Sequence, residues 1–249
     1  MTDATEIAFI NGADAQDAVD FAFTVEAMRI QFSRDFLPHW SGFLPIPRQL
    51  VVTGYDSATN LAPGSFWPIE VVADLNDPSI LGDHGGFEAT GTAWGRSLPR
   101  SHTESHELLE MAGDPFSNRW VRLPSGTVVA LEVADPVQSD SYWINATVAG
   151  QTRRIEVSNF VLPAWFGEGR GQLDFLNKCS LAGENRGYVI VQGPDGTTSN
   201  VFASTSIEAQ RAEIVAKQEN PLTRVARRLA RPPTEHWLLT HYELTARRW

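Results

Sequence analysis

Four apolar residues in a row, Ile7-Ala8-Phe9-Ile10, ended by the turn pair Asn11-Gly12, predict a short strand near the start of the chain. After it, apolar positions recur at helical spacing at Ala18, Val19, Ala22, Val25, Met28 and Phe32. They predict a long helix with Asp14 as its cap, reaching about Phe36 and closed by Pro38. The pattern then changes to β-rich runs at 49–55 and 67–74, separated by the turn formers of 60–64, so these two are expected to be neighbouring strands. Asn76-Asp77-Pro78 and Gly82-Asp83-His84-Gly85-Gly86 predict a loop, and 89–94 a third strand whose glycine content suits a sheet edge.

Ser101 to Pro115 changes the period again. Ser101 with Glu104 forms a possible capping box, while Gly113 and Pro115 are stop signals, so about three helical turns are expected between them. At 3.6 residues per turn His102, His106, Glu110 and Asp114 fall on one stripe, and Leu108, Leu109 and Met111 occupy other faces that a core can cover. A stripe of imidazoles and carboxylates beside an apolar face is costly to bury unless something satisfies it, and a divalent metal is the usual partner for that mixture. The centre, His106-Glu107-Leu108-Leu109-Glu110, reads HExxE, one residue from the zincin motif HExxH, in which two helical ligands four apart hold zinc and the intervening Glu polarises a water. Glu is a legitimate zinc ligand, although a second-position carboxylate adds negative charge and makes a bound water less acidic than a His pair does. The alternative is a solvated helix face whose histidines pair with carboxylates. His102 joins the ligand set only if the helix begins as early as Ser101, and His84, in its glycine-rich stretch, is a candidate for lining the cleft.

Beyond Pro115 short β-rich runs dominate: 127–133 leading into Ala134-Asp135-Pro136, 142–144, 155–161 ending in the aromatic cluster Trp165-Phe166, and 187–192 entering the turn Gly193-Pro194-Asp195-Gly196. The last segment is helical in pattern and carries Arg224, Arg227, Arg228 and Arg231, which could meet an acidic partner or the protein's own acidic surface. The chain thus divides into 1–115, a mostly β part at 116–203, and an Arg-rich helical tail at 204–249, an α+β organisation.

Composition narrows the function classes. With 249 residues, 42% hydrophobic residues and 8 Trp, a real core is affordable. A net charge of -10 disfavours nucleic acid and anionic membranes as partners of the whole. A single Cys179 excludes an internal disulfide, no apolar run reaches membrane-spanning length, and the first residues lack a basic leader, so the expected setting is the cytoplasm. Ser105 has no nucleophile elbow around it, Cys179 has no electropositive context, no phosphate-binding glycine fingerprint occurs, and Glu107 with Glu110 has no separation fixed by sequence that a glycosidase would need.

Two resemblances follow from these residues. The order strand, long helix, strands, glycine-rich loop, edge strand and HExxE helix resembles a zincin N-terminal lobe, in which a backing helix packs behind a twisted sheet and the motif helix lies under the edge strand that holds an extended substrate. The blocks Ser105-His106-Glu107-Leu108-Leu109-Glu110 with Asp114-Pro115, Glu132-Val133-Ala134-Asp135-Pro136-Val137, and Val157 to Phe166, with matching blocks at Asp35 to Trp40 and at Leu81 to His84, resemble a group of uncharacterised bacterial and phage-associated proteins over roughly residues 30 to 190. That group in turn resembles metallopeptidases in its HE motif. Its frequent Cys stands as Ala134 here, which argues against a ligand at this position. A hydrolytic zinc needs three protein ligands and a water. Asp114, about 12 Å along a continuous helix from His106, is too far unless the chain turns back after Gly113. In gluzincins a downstream Glu completes the site and a nearby Asp orients a ligand, and Glu132 with Asp135 resembles that pair, the alternative being a strand-end turn capped by Asp135.

The expectation is therefore a zinc-dependent hydrolase of peptide or protein substrates, with His106, Glu110 and Glu132 as ligands, Glu107 as base, and Asp135, Asp114 or His102 as orienting or alternative groups. The competing expectation is a structural or interaction protein of a phage-like particle, assembling through the Arg-rich tail and the Trp165-Phe166 cluster.

Overall fold

A computed structural model describes residues 4–12, 15–43, 49–56, 66–77, 80–87, 92–168, 171–178 and 187–202. The chain divides into two compact units, the first built from Met1–Ser41, Ile46–Ser117 and Ser141–Ser158, the second from Gly42–Pro45, Asn118–Asp140 and the chain from Asn159 on. Among the described residues the fold is mixed α and β, and no helix is long and apolar enough to cross a membrane.

The first unit is organised on a five-stranded sheet of β1 (Ala4–Asn11), β2 (Gln49–Tyr55), β3 (Phe66–Val71), β4 (Gly82–Phe87) and β5 (Thr92–Ser97), in the order β2-β1-β3-β5-β4. Its first four strands in that order are parallel and β4 runs antiparallel to β5 at the edge. β1 takes an internal place because Ile7, Ala8 and Phe9 have no polar face to turn to water, the signature of a parallel strand covered on both sides. This corrects the expected pairing of β2 with β3. Each runs parallel to β1, and two parallel strands cannot be joined as a hairpin. It also corrects the reading of 82–86 as a loop, since these glycines form the edge strand, while the strand expected to be the edge, β5, is internal. Glycine's weak strand preference hid β4; backbone pairing from Gly82↔Ser97 to Phe87↔Thr92 supplies what propensity does not.

The predicted long helix exists but does not stop at Pro38. α1 (Ala18–Ile30) passes into a π-helical turn at Gln31–Phe36 and then into α2 (Leu37–Trp40). In the wide turn Leu37 N–H bonds to the carbonyl of Phe32, five residues back, and Pro38 falls in the first turn of α2, where a missing N–H costs nothing. Asp14, the expected cap, lies outside the described residues. The cap is Asp17, whose carboxylate accepts from Val19 N and Asp20 N at 2.9 and 3.2 Å. The buried stripe is Phe21, Phe23, Thr24, Ala27 and Met28, and Val19 is 51% exposed. Burying two phenyl rings outweighs burying Val19. Phe32, Phe36 and Trp40 then stack in sequence with ring centroids 5.6 and 6.0 Å apart.

α3 (Ser101–Gly113) forms where a helix is expected, with Ser101 as its first residue instead of its cap, and touches β3, β4 and β5. The hairpin of β8 (Ser141–Val148) and β9 (Gln151–Ser158), expected within the β part of 116–203, belongs to this first unit and packs on α1 and α3. A buried polar chain fixes it there. Gln31 Nε2 donates to the Ser158 carbonyl at 2.8 Å, Ser158 N–H donates to Ser105 Oγ at 2.6 Å, and Ser105 Oγ donates to the His102 carbonyl at 3.0 Å. Tyr142 adds a bond from its hydroxyl to Asp35 Oδ2 at 2.8 Å.

The second unit holds an antiparallel sheet, β11-β10-β7-β6, of β6 (Trp120–Arg122), β7 (Val128–Ala130), β10 (Tyr188–Gln192) and β11 (Thr198–Phe202). β6, of three residues, and β11, largely polar, carry too little pattern to be read from sequence. Asp135–Val137 and Pro163–Phe166 are short 3-10 turns. Asn159 Nδ2 donates to Asp174 Oδ1 at 2.8 Å, and that oxygen also accepts Leu176 N at 3.0 Å and Lys178 N at 3.3 Å. Trp165 and Phe166 meet edge to face at 4.8 Å and are each 2% exposed, so the aromatic cluster expected to be a sticky surface is core. The Arg-rich tail, with Arg224 to Arg231, and Cys179 lie outside the described residues.

Candidate metal centre

α3 is amphipathic in sequence but nearly enclosed in the fold: from Thr103 to Gly113 every residue except His106 is buried. The apolar Leu108, Leu109, Met111 and Ala112 account for that enclosure. Glu104, Glu107 and Glu110 are carried inward with them. Burying three carboxylic acids on one helix costs several kcal/mol unless each is neutralised or paired, and the three are handled differently.

Glu104 is neutral. The expected capping box does not form, because the helix begins one residue earlier than a Ser101 cap requires, with Arg100 in the extended cap position and no side-chain cap. Glu104 therefore turns into the interior, 0% exposed, and neither of its carboxylate oxygens meets a hydrogen-bond donor among the described residues. Desolvation pushes its pKa up from 4.5 to about 8.

Glu107 is paired. His84 on β4 places Nδ1 3.6 Å from Glu107 Oε2, an ion-pair distance just beyond a hydrogen bond. Burial alone would lower the His84 pKa. Glu107 first, then Glu110 and Asp114 at longer range, more than offset burial, and the imidazole is held above its ordinary 6.5. His84 was a weak candidate in the sequence. What identifies it is the alternation Gly82-x-His84 on one face of an edge strand, visible only once 82–87 is known to be a strand.

Glu110 lies one turn beyond His106, with Oε1 3.8 Å from His106 Nε2. The His106 side chain is 13% exposed and that of Glu110 2%, so the pair runs from the surface inward. Zinc bonds of about 2.0–2.2 Å place two tetrahedral ligand atoms about 3.4 Å apart, with an outer limit of about 4.2 Å when the ion lies between them. The observed separation is about 0.4 Å wider than the tetrahedral one, a gap that a small movement of the Glu110 side chain closes, so the donor types fit two zinc ligands. His102 is on the helix, half-buried in its first turn on the same stripe. Asp114 ends the helix as its C-cap, with Asp114 N bonded to the Glu110 carbonyl at 2.8 Å, and acts on His84 through charge. Glu132 and Asp135 are buried carboxylates of the second unit, Asp135 opening the 3-10 turn before Pro136.

The first unit thus carries His106 and Glu107 on the middle of α3, Glu110 and Asp114 toward its C-terminal end, and His84 on the adjoining edge strand. Comparison of the chain with protein-family models, with curated proteins and with solved structures returned no match.

Proposed function

We propose that this protein is a zinc-dependent hydrolase acting on peptide bonds, with a zincin-like lobe as its scaffold. The observation that carries the reading is the His106–Glu110 pair, a nitrogen and an oxygen 3.8 Å apart on an otherwise enclosed helix, with Glu107 between them in sequence. Glu107, Glu110 and Asp114 all act on the His84 imidazole through charge, and carboxylates beside imidazoles are the donor types that a divalent cation takes. The zincin-like reading draws support from the antiparallel edge strand β4 and from α3, which contacts both β4 and β5.

In this reading His106 and Glu110 hold the metal. The third ligand is the downstream carboxylate Glu132, with Asp135 as the alternative, an assignment resting on sequence alone that metal binding by E132Q and D135N tests. Zinc, when bound, supplies Lewis acidity that makes water a nucleophile at neutral pH. Glu107 accepts the proton that water loses as its oxygen bonds to the substrate carbonyl carbon. The same carboxylate returns the proton to the amide nitrogen as the C–N bond breaks, so one water is consumed and an acid and an amine are released.

Hydrolysis of fluorescein-labelled casein by the zinc-loaded full chain, compared with E107Q, tests the reading. E107Q is expected to keep its zinc and to lose about 10²–10⁴-fold in rate. Equal rates in the two proteins rule out Glu107 as the base.

A further inference from the structure

We propose that His84 is the positioning residue for Glu107: the edge strand β4 grips that carboxylate between the imidazole of His84 and the bare backbone of Gly82. The catalytic consequence rests on the hydrolase reading above, whereas the grip itself is a property of the fold.

Residues 82 and 84 point to the same face of β4, since side chains alternate along a strand. His84 Nδ1 stands 3.6 Å from Glu107 Oε2. Two residues earlier, a Cβ built on Gly82 would lie 2.7 Å from both Cγ and Cδ of Glu107 and would collide with its Oε1. The outer half of the glutamate therefore lies so close along the Gly82 backbone that a Cβ there would make this side chain move. One neighbour limits where the carboxylate can go by shape, the other by charge.

The strand is itself held in register, so the grip is on a fixed element. Asp83, pointing to the opposite face, lies directly across from Arg96 of β5 and takes two bonds from it, Nε to Oδ1 at 3.0 Å and Nη2 to Oδ2 at 2.5 Å. Behind His84 its carbonyl accepts Ser117 Oγ at 3.3 Å. A glutamate carries three side-chain torsions, and a proton acceptor displaced by about 1 Å loses on the order of 10²-fold in rate. A base on a helix interior has few anchors within its own helix, so the neighbouring strand supplies them.

The test uses the full chain and three variants of β4. H84A removes the charged partner, H84N keeps an amide nitrogen near the place of Nδ1, and G82A displaces Glu107 without removing any polar group. Against labelled casein, H84A and G82A are expected to lose about 10- to 100-fold in kcat with KM and bound zinc unchanged, and H84N to recover part of the loss. Unchanged kcat in H84A, or H84N as impaired as H84A, overturns the proposal. A second measurement is independent of activity: the imidazole ¹⁵N resonances of His84 in ¹⁵N-histidine-labelled protein. They are expected to shift in E107Q and in G82A, and resonances identical to those of the wild type in both variants overturn the proposal. A wild type that neither binds zinc nor cleaves casein counts against the hydrolase reading, and the resonances then decide the grip on their own.

Discussion

Glu104 offers the sharpest test of the packing around α3. It is fully buried, without a hydrogen-bond donor on either oxygen among the described residues, and its pKa stands at about 8 instead of 4.5. At about 1.4 kcal/mol per pH unit, that difference amounts to about 5 kcal/mol of folded-state preference for the neutral acid. Its sign follows from proton counting. Below pH 4.5 both the folded and the unfolded chain carry the proton, and nothing is lost. Between 4.5 and about 8 the unfolded chain has released the proton and the folded chain has not, so stability falls by about 1.4 kcal/mol per unit. Above 8 the loss is complete. Gln at this position is neutral throughout. The stability of E104Q relative to the wild type should therefore climb with pH, by about 3 kcal/mol from pH 4.5 to pH 7 and about 4 kcal/mol by pH 8 to 9. Any constant difference between an amide and an acid shifts the curve without tilting it. The raised pKa of His84 contributes the same slope to both proteins and cancels in the difference. Urea unfolding at a series of values between about pH 5 and pH 9 reads the tilt directly. Parallel curves for the two proteins would show that Glu104 ionises freely in the fold, and the account of α3 as an enclosed helix would be wrong.

Two further predictions concern the second unit. Asp174 is buried and its Oδ1 gathers Asn159 and two backbone N–H groups, so D174A should cost about 3 kcal/mol in urea unfolding, while D174N, which keeps the acceptor oxygen, should cost markedly less. Gly187 approaches the turn at Asp135 and Pro136 so closely that a Cβ would overlap the Asp135 carbonyl oxygen. G187A should lower stability by about 3 kcal/mol or abolish soluble expression, and a thermal melt matching the wild type would refute that contact.

The sequence was most informative where period and side-chain volume agree. The place and the end of α3 could be read because a four-residue stripe, an apolar face and a stop signal coincide there, whereas its start could not, since Ser101 opens the helix instead of capping it. β1 declared itself through an unbroken apolar run, though the run does not say which strands flank it; that depends on long-range parallel pairing, which leaves no local mark. β4 was missed because Gly82, Gly85 and Gly86 have poor strand propensity, and the strand is specified by its pairing with β5. Pro38 misled for a related reason. A proline ends a helix only if the preceding turn stays α-helical, and a π turn relieves that constraint. As for the site, the four-residue spacing of His106 and Glu110 was legible as one stripe, and the two side chains do come within 3.8 Å of each other, but the fate of Glu104 was not legible. A capping box and a buried neutral acid share the same letters, and tertiary enclosure chooses between them. Likewise Trp165 and Phe166 read equally well as surface or core until their burial is known.

The central claim is that His106 and Glu110 hold a metal ion. Zinc content of the full chain purified without added metal, measured by plasma emission alongside H106A and E110Q with their folding checked by circular dichroism, tests it most directly. The account predicts about one zinc per wild-type chain and less than about a tenth of that in each folded variant. Negligible zinc in all three, or the same zinc in the wild type and H106A, would contradict it.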